Sequence, residues 1–428
     1  MTAIVGLMNK HAVALAADSA VTVSTAHGRK VLNCANKIFN ISKYEPVGVM
    51  IYNNSSLMGT PWDLIIKMFR QNLKATPYDT LNEYIIAFLD YIASKNYFNS
   101  DAEQRRYLLK VIDNFVQTLY EKAHGLYKLK FRDKESPDEL RNEFFLLLQQ
   151  EEKFFIKQKR CKGFEAYTLD ELKKYLGDGL LSIHTKLEKT IGIPLGDDFI
   201  NLLNDVLFLS IVHENTKTNS YTGLVFSGYG TEEMYPSLIS LIIRFAFDGK
   251  IVISSCQTTQ ISNKNPSAVC PFAQTDVMMS ILAGIASPIH IVVNETFNKV
   301  ITGYNDKIID QLKNAKVDPN IVDSIKKGVP LDVFRNSFEK RILKFIDDEY
   351  ITKLKETVAY LDIEDLSNMA ESLISITGLN RRMTSEEESV GGPVDVAVIS
   401  KVDGFIWMKR KHYFDKNLNQ QFFERYNR

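Results

Sequence analysis

Thr2-Ala3-Ile4-Val5-Gly6-Leu7-Met8-Asn9-Lys10-His11-Ala12-Val13-Ala14-Leu15-Ala16-Ala17-Asp18-Ser19 lies at the start of the 428-residue sequence. Two apolar runs rich in Val and Ala flank a polar break at Asn9-Lys10-His11. That is the pattern of a β-hairpin, although the usual Asn-Gly turn is missing. The reading is one strand over residues 2–8 and the next over 12–23. If Met8 pairs with Ala12, Thr2 falls opposite Asp18. A one-residue change of loop type moves the partner only to Ser19. Directly opposed residues share a face, with Cβ atoms about 5 Å apart. Asp18 interrupts an apolar strand, where a charge is costly unless partnered.

Thr2 is small enough for Met1 to be removed readily. Removal would leave a free α-amine on the residue that carries the hydroxyl. An α-amine has a pKa of about 8, so it can act as a base for its own hydroxyl. A threonine with a terminal amine is a known nucleophile arrangement. A nearby cation would lower the amine pKa and anchor the carboxylate. Lys37, opening Asn36-Lys37-Ile38-Phe39-Asn40-Ile41, is the best candidate, and Lys30 is the alternative. Taken singly, a threonine at position 2, an aspartate ending a strand and a lysine opening one each fit an ordinary structural role. Their arrangement on adjacent strands favours the chemical reading.

Outward from this hairpin, residues 37–41 and 47–52 form a second strand pair around Tyr44-Glu45-Pro46. A helix follows, with an N-cap expected at Ser55-Ser56 and with Leu64, Ile65, Met68, Phe69 and Leu73 at helical spacing. The chain reads as mainly helical over 81–213. Strands are expected at 222–227, 238–246 and 251–255, then a polar loop over 256–268. Helices resume at 272–285 and run to about 377, with a strand-like interruption at 289–293. Two last strands, 394–402 and 405–409, meet at Asp403-Gly404. Strands at the start, middle and end with helices between them argue an α+β fold in which distant strands share sheets. Residues 1–75, 197–294 and 362–428 are expected to build the core, and 76–196 and 295–361 to be helical insertions.

Composition narrows the function classes. Fifty-two basic residues balance 52 acidic ones, so no global field attracts nucleic acid or anionic lipid. Cys34, Cys161, Cys256 and Cys270 lie far apart without a CxxC pair and read as free thiols. A cysteine hydrolase using Cys34 or Cys256 has no local motif behind it. The seven histidines form no HxxxH or HExxH pattern, so no metal is expected, and no cofactor. Gly228-Tyr229-Gly230 lacks the third glycine of a nucleotide loop. No apolar run reaches the roughly 20 residues of a membrane span, and residues 1–20 lack the charged start of a signal peptide. A cytoplasmic protein with no membrane partner is the expectation.

At these residues the chain resembles the proteasome β-subunit superfamily, including the bacterial proteasome-like proteases. Residues 2–6 and 13–19 look like that family's first two strands, and Lys37 to Ile41 like the strand opened by its catalytic lysine. Residues 48–56 and 63–73 look like its oxyanion turn and first helix. Residues 224–236 with Asp248-Gly249, and later 370–377, 386–392, 394–399 and Asp403-Gly404, fall in the family's order. The resemblance implies a four-layer αββα sandwich of the N-terminal-nucleophile (Ntn) hydrolase type with large helical insertions. It implies a threonine peptidase in which Thr2 is the nucleophile and Asp18 and Lys37 orient the site. The oxyanion would be held by backbone N–H groups at Tyr52 and Asn53, and Ser19, Glu387 and Ser389 would support the site. Tyr52 and Asn53 stand where many members carry glycines, Glu387 and Val390 where the family often has Asp and Ser, and no supporting serine lies near 271–274. Implied partners are a peptide or protein substrate, an ATP-dependent unfoldase or other gate, and further copies of the chain in a homo-oligomer. The alternatives are a small-molecule amidase of the same fold and a catalytically silent scaffold. The last predicts that Met1 is retained or that Thr2 is buried and inert.

Overall fold

In a computed structural model of the chain, Asn9 turns the first hairpin. The structure describes residues 2–25, 28–94, 100–131, 136–214, 221–328, 330–384, 390–412, 414–415, 417–421 and 424. Asn9 Oδ1 accepts the N–H groups of His11 at 2.9 Å and Ala12 at 3.2 Å. This is the side-chain mimicry of a backbone turn that lets Asn replace the missing Asn-Gly. Its Nδ2 donates to the carbonyls of Val358 and Leu361, tying the turn to a distant segment. Strands β1 (Ala3–Asn9) and β2 (Ala12–Ala17) pair from Ile4↔Ala17 to Met8↔Val13. The register is one residue longer than a Met8–Ala12 pairing. The second strand stops at Ala17 instead of running to 23, because Asp18 turns its carboxylate onto backbone N–H groups.

The chain continues with β3 (Val21–Thr25), β4 (Gly28–Leu32), β5 (Ile38–Asn40), β6 (Val47–Asn53), β7 (Ser56–Leu57) and β8 (Thr60–Pro61). Then come α1 (Trp62–Leu73), α2 (Leu81–Ser94), α3 (Asp101–Phe131), α4 (Pro137–Ile156), α5 (Leu169–Leu176), α6 (Asp178–Ile191) and α7 (Asp197–Val212). Strands β9 (Thr222–Gly228), β10 (Ser237–Phe247), β11 (Lys250–Gln260) and β12 (Ser267–Ala273) follow. Next are α8 (Thr275–Ala283), α9 (Ser287–Asn314), α10 (Pro319–Gly328), α11 (Leu331–Ile346), a π-helical turn (Asp347–Ile351), α12 (Thr352–Tyr360) and α13 (Ile363–Met383). The chain closes with β13 (Asp395–Ser400) and β14 (Gly404–Lys409). The class is α+β with antiparallel sheets.

Two compact units divide the chain. The first comprises Met1–Ala35, Ile261–Val398 and Ile406–Arg428, and the second Asn36–Gln260 and Ile399–Phe405. The first is built on the sheet β12-β1-β2-β13-β14. Both faces of β1 and β2 are buried, which is why their sequences are continuous apolar runs rather than alternating ones. On one face Ala3, Val5, Leu7, Ala12, Ala14 and Ala16 pack with Leu366, Ala370, Leu373 and Ile374 of α13. Small alanines let the helix approach the sheet closely.

The second unit is built on the sheet β11-β10-β9-β6-β5. Its core stacks Trp62 on Phe88 and sets Phe88 edge-on to Phe226, at centroid distances of 6.4 and 5.4 Å. Such offset and edge-on rings suit the aromatic quadrupole. The β10–β11 hairpin turns at Asp248 and Gly249, both at positive φ (49° and 69°), as a type I′ turn requires.

Three local expectations are corrected. The α1 helix is capped at Pro61, not at Ser55-Ser56, because Ser56 is drawn into the β7–β8 ribbon. The loop expected over 256–268 shrinks to 261–266: β11 extends to Gln260, and β12 begins at Ser267. Pro271 hid β12, yet an edge strand tolerates a proline. The β-branched run 289–293 lies inside α9, not in a strand. Pro288 in the first turn presets a helical φ, and the propensity cost of Ile and Val is only a few tenths of a kcal/mol each.

Among the described residues, no single helix is long and apolar enough to cross a membrane. Thr275–Ala283 and Ser287–Asn314 reach the length and apolarity together but are bent by 65°.

Candidate functional site at the chain start

The peptide unit joining Thr2 to Ala3 is held at both polar ends. Its carbonyl, on Thr2, accepts the Gln274 N–H at 3.1 Å. Its N–H, on Ala3, donates to Asp18 Oδ1 at 2.9 Å. Edge strand β12 supplies the first tie, since Ala3 pairs with Ala273 and the ladder runs on to Asn9↔Ser267. Ala273 sits at a positive φ of 66°, a backbone kink that ends β12 next to Thr2. Thr2 itself is 7% exposed.

Asp18 has a second set of partners. Its Oδ2 accepts the Ala20 N–H at 3.1 Å and the Gly391 N–H at 3.2 Å. A carboxylate that accepts several backbone N–H groups is fixed in position as well as in charge. Extending the β1–β2 register brings Thr2 opposite Ser19, the second of the two partners considered. Asp18 instead curls back over the strand end to reach the N–H beside Thr2.

Ser19 is fully buried. Its N–H donates to Gly391 O at 3.1 Å, its Oγ donates to Pro393 O at 2.5 Å, and its carbonyl accepts the Ala35 N–H at 3.1 Å. Gly392 closes this contact. It adopts φ 75°, and a Cβ there would lie 2.8 Å from Asn33 Cβ and 3.3 Å from Ser19 Cβ. Glycine is required twice over, for the conformation and for the space. The Gly391-Gly392-Pro393 segment therefore docks on the Asp18–Ser19 turn. Glu387 and Ser389, expected from sequence to support the site, lie outside the described residues.

Lys37, Tyr52 and Asn53 belong to the second unit. Lys37 immediately precedes β5, and its carbonyl accepts the Ile51 N–H at 2.8 Å. It is 4% exposed, whereas the alternative cation, Lys30 on β4, is exposed. An ammonium is buried at this cost only with polar company. Tyr52 and Asn53 end β6. The Tyr52 ring lies across Gly223, its register partner, where a Cβ would meet ring atoms at 1.9 Å. Burial, with a contribution from Tyr221, pushes the Tyr52 phenol up to about 12. Asn53 adopts φ 69° and donates through Nδ2 to Tyr221 O at 2.8 Å.

One cluster was not expected from sequence. Arg381 of α13, mostly buried, donates through Nε to Gln274 Oε1 at 3.0 Å and through Nη2 to both Asp276 oxygens at 2.6 Å. Gln274 thus holds Thr2 with its backbone and the guanidinium with its side chain. The signal was present: Arg381 continues the buried spacing Ala370, Leu373, Ile374, Thr377, Gly378.

Neither cysteine considered as a nucleophile is poised for it. Cys34 and Cys256 are both exposed. Burial of its thiol raises the Cys256 pKa, the direction opposite to activation. Among the described residues, no group of three His, Cys, Asp or Glu side chains could hold a metal ion.

No family model matches this chain, and no curated protein is similar to it. Solved structures match only at a low level, two of them as follows. One is a Gly-1 mutant of Anbu from Hyphomicrobium sp. strain MC1, 8% identical, covering 100% of this chain and 95% of that one at a TM-score of 0.29. The other is Anbu, an ancestral beta-subunit, from Yersinia bercovieri, 9% identical, covering 99% and 94% at a TM-score of 0.27. Likeness this weak carries no argument about fold or chemistry. The assignment to the proteasome β-subunit superfamily drawn from sequence motifs is corrected accordingly: no family model matches, and the solved structures match only at 8% and 9% identity.

Proposed function

We propose that this chain is an amide hydrolase in which Thr2, with Met1 removed, is the nucleophile. The observation that supports it is the two-sided grip on the Thr2–Ala3 peptide unit, with one grip coming from a buried carboxylate. A nucleophile on the first residue of a chain has no preceding backbone to hold it. Its position must come from the one peptide bond that follows, and here both polar ends of that bond are fixed.

In the proposed reaction the Thr2 hydroxyl attacks a peptide or other amide carbonyl. Its α-amine, directly or through a water, takes the hydroxyl proton and passes it to the leaving amine. Asp18 orients the residue. Lys37 is proposed as the cation that keeps the amine unprotonated near neutral pH. Backbone N–H groups at Tyr52 and Asn53 are proposed as oxyanion donors. The ester formed on Thr2 is then hydrolysed by water. The four-layer αββα stacking belongs to the same proposal, and a crystal structure would test it.

One observation favours a second reading, a silent scaffold: Thr2 is 7% exposed. Two mass measurements decide between them. The intact mass of the purified chain should be one methionine short. An electrophile that closes a ring onto both a hydroxyl and an α-amine should add once to the wild type and not to Thr2→Ala. A retained Met1, or no addition to a chain that has lost it, refutes the nucleophile.

A further inference from the structure

Both holds on the Thr2–Ala3 peptide unit lead back to the end of α13. On one side Gly391, in the segment that follows α13, gives its N–H to Asp18 Oδ2. On the other, the Gln274 N–H meets the Thr2 carbonyl, and Gln274 Oε1 accepts from Arg381 Nε in the last turn of α13.

Gln274 stands where β12 gives way to α8. Ala273 before it has φ 66°, a left-handed conformation that a residue with a Cβ keeps only when its surroundings impose it. Gln274 is the N-cap residue of α8, yet its side chain makes no capping hydrogen bond. It turns to Arg381 instead. Arg381 is 8% exposed, and its helix packs on β1 and β2 through Leu366, Ala370, Leu373 and Ile374. The guanidinium therefore starts from an element already fixed to the strand that Thr2 precedes. Its Nη2 is anchored on both oxygens of Asp276, in the first turn of α8. Nε and Nη2 form one edge of a rigid fork, so Arg381 holds Gln274 and Asp276 at once, which the single ammonium of a lysine does not reproduce.

We propose that Arg381 is a positioning residue, acting through Gln274 to set where the Thr2 hydroxyl and amine stand. This role rests on Thr2 being the nucleophile, as proposed above. A first residue held only at the Ala3 N–H is free to swing about that point. The tie at its carbonyl removes the swing, and Arg381 steadies the residue that supplies the tie. A guanidinium stays protonated throughout, so its part is geometric and not acid–base. Misplacing a reacting group by about 1 Å costs on the order of 100-fold in rate.

Arg381→Met and Gln274→Ala in the full chain test this, the second variant leaving the Arg381–Asp276 pair in place. Amide hydrogen exchange is the first readout. Protection at residue 274 should fall roughly tenfold or more in each variant, while the amides of β9, in the other unit, stay protected. The second readout is addition of a dipeptide epoxyketone, which takes the hydroxyl at its carbonyl and the amine at its epoxide. Its maximal rate should fall about 10- to 100-fold in each variant, with the half-saturating concentration and the pH midpoint unchanged. The double variant should be no slower than the slower single one, because the two residues act in series. Lys409→Met, which removes the partner of Glu371 on the same helix, should alter neither readout. Unchanged protection at residue 274 in Arg381→Met overturns the proposal. So does an unchanged maximal rate, a change confined to half-saturation, a moved pH midpoint, or losses that multiply in the double variant. A wild type that takes no epoxyketone refutes the nucleophile and the positioning role with it, a failure set apart from the others because it appears without any substitution.

Discussion

Removing the Asp18 carboxylate should loosen the chain start far more than a surface change would. Three backbone N–H groups, of Ala3, Ala20 and Gly391, point at its two oxygens from 2.9 to 3.2 Å, and the side chain is 1% exposed. In Asp18→Ala all three donors lose this acceptor in a dry place. Breaking a buried charged network of this kind costs about 3–5 kcal/mol. Asp18→Asn is the sharper variant. Its amide keeps one acceptor oxygen but sets an NH₂ group against at least one donor. Its expected cost is about 2–3 kcal/mol, since a buried donor left unmade costs ~1–3 kcal/mol. Amide hydrogen exchange reads this locally. Because ~1.4 kcal/mol is a factor of ten, protection at Ala3, Ala20 and Gly391 should fall roughly 30- to 100-fold in the asparagine variant and further in the alanine variant. Amides of β9 and β10, in the other unit, serve as the internal control. Unchanged protection at the three amides in both variants would refute the idea that the carboxylate holds this turn.

Two further outcomes follow from the same structure. Gly392→Ala places a methyl 2.8 Å from Asn33 Cβ at a φ of 75°, so thermal unfolding should show a loss of about 1–3 kcal/mol. His184 is buried against Asn204, with Nε2 and Oδ1 2.9 Å apart, and burial lowers its pKa below the ordinary 6.5 despite that hydrogen bond and Glu188, with Lys173 acting in the same direction as burial. A depressed histidine means that the unfolded chain takes up the proton first as pH falls. The stability contribution is therefore whole above pH 6.5 and is lost as pH drops below it toward the folded value. Urea midpoints should decline over that range, and His184→Gln should flatten the decline. A slope that survives the substitution unchanged would assign it to other groups, His213 among them, whose pKa is also lowered by burial.

Much of the first hairpin was legible because local rules sufficed. Two apolar runs and a polar break located β1, β2 and the turn, and strand geometry put Thr2 beside the Asp18–Ser19 turn. The register was off by one because a loop length is not written in the apolar pattern, whereas Asn9 sets it through its side chain. Strand β12 was hidden by Pro271, since nothing local marks an edge strand that tolerates proline. The run 289–293 misled in the other direction, because β-branching is a weak preference that a long helix overrides. Lys37 was the cation expected from its place before a strand; it is buried, whereas Lys30 is exposed. Gln274 and Arg381 escaped because their partnership joins positions 107 residues apart. A buried stripe ending in arginine was the only hint, and it named no partner.

The third hydrogen bond to Asp18 comes from a residue 373 positions along the chain. The central sheet of that unit likewise interleaves the opening strands with others from near the end. During synthesis the opening hairpin must wait, unpaired on one flank, until β13 has left the ribosome. The carboxylate beside Thr2 likewise gains its Gly391 partner only after that distant segment has been made. A product stalled before Gly391 would carry the same threonine without its full mooring.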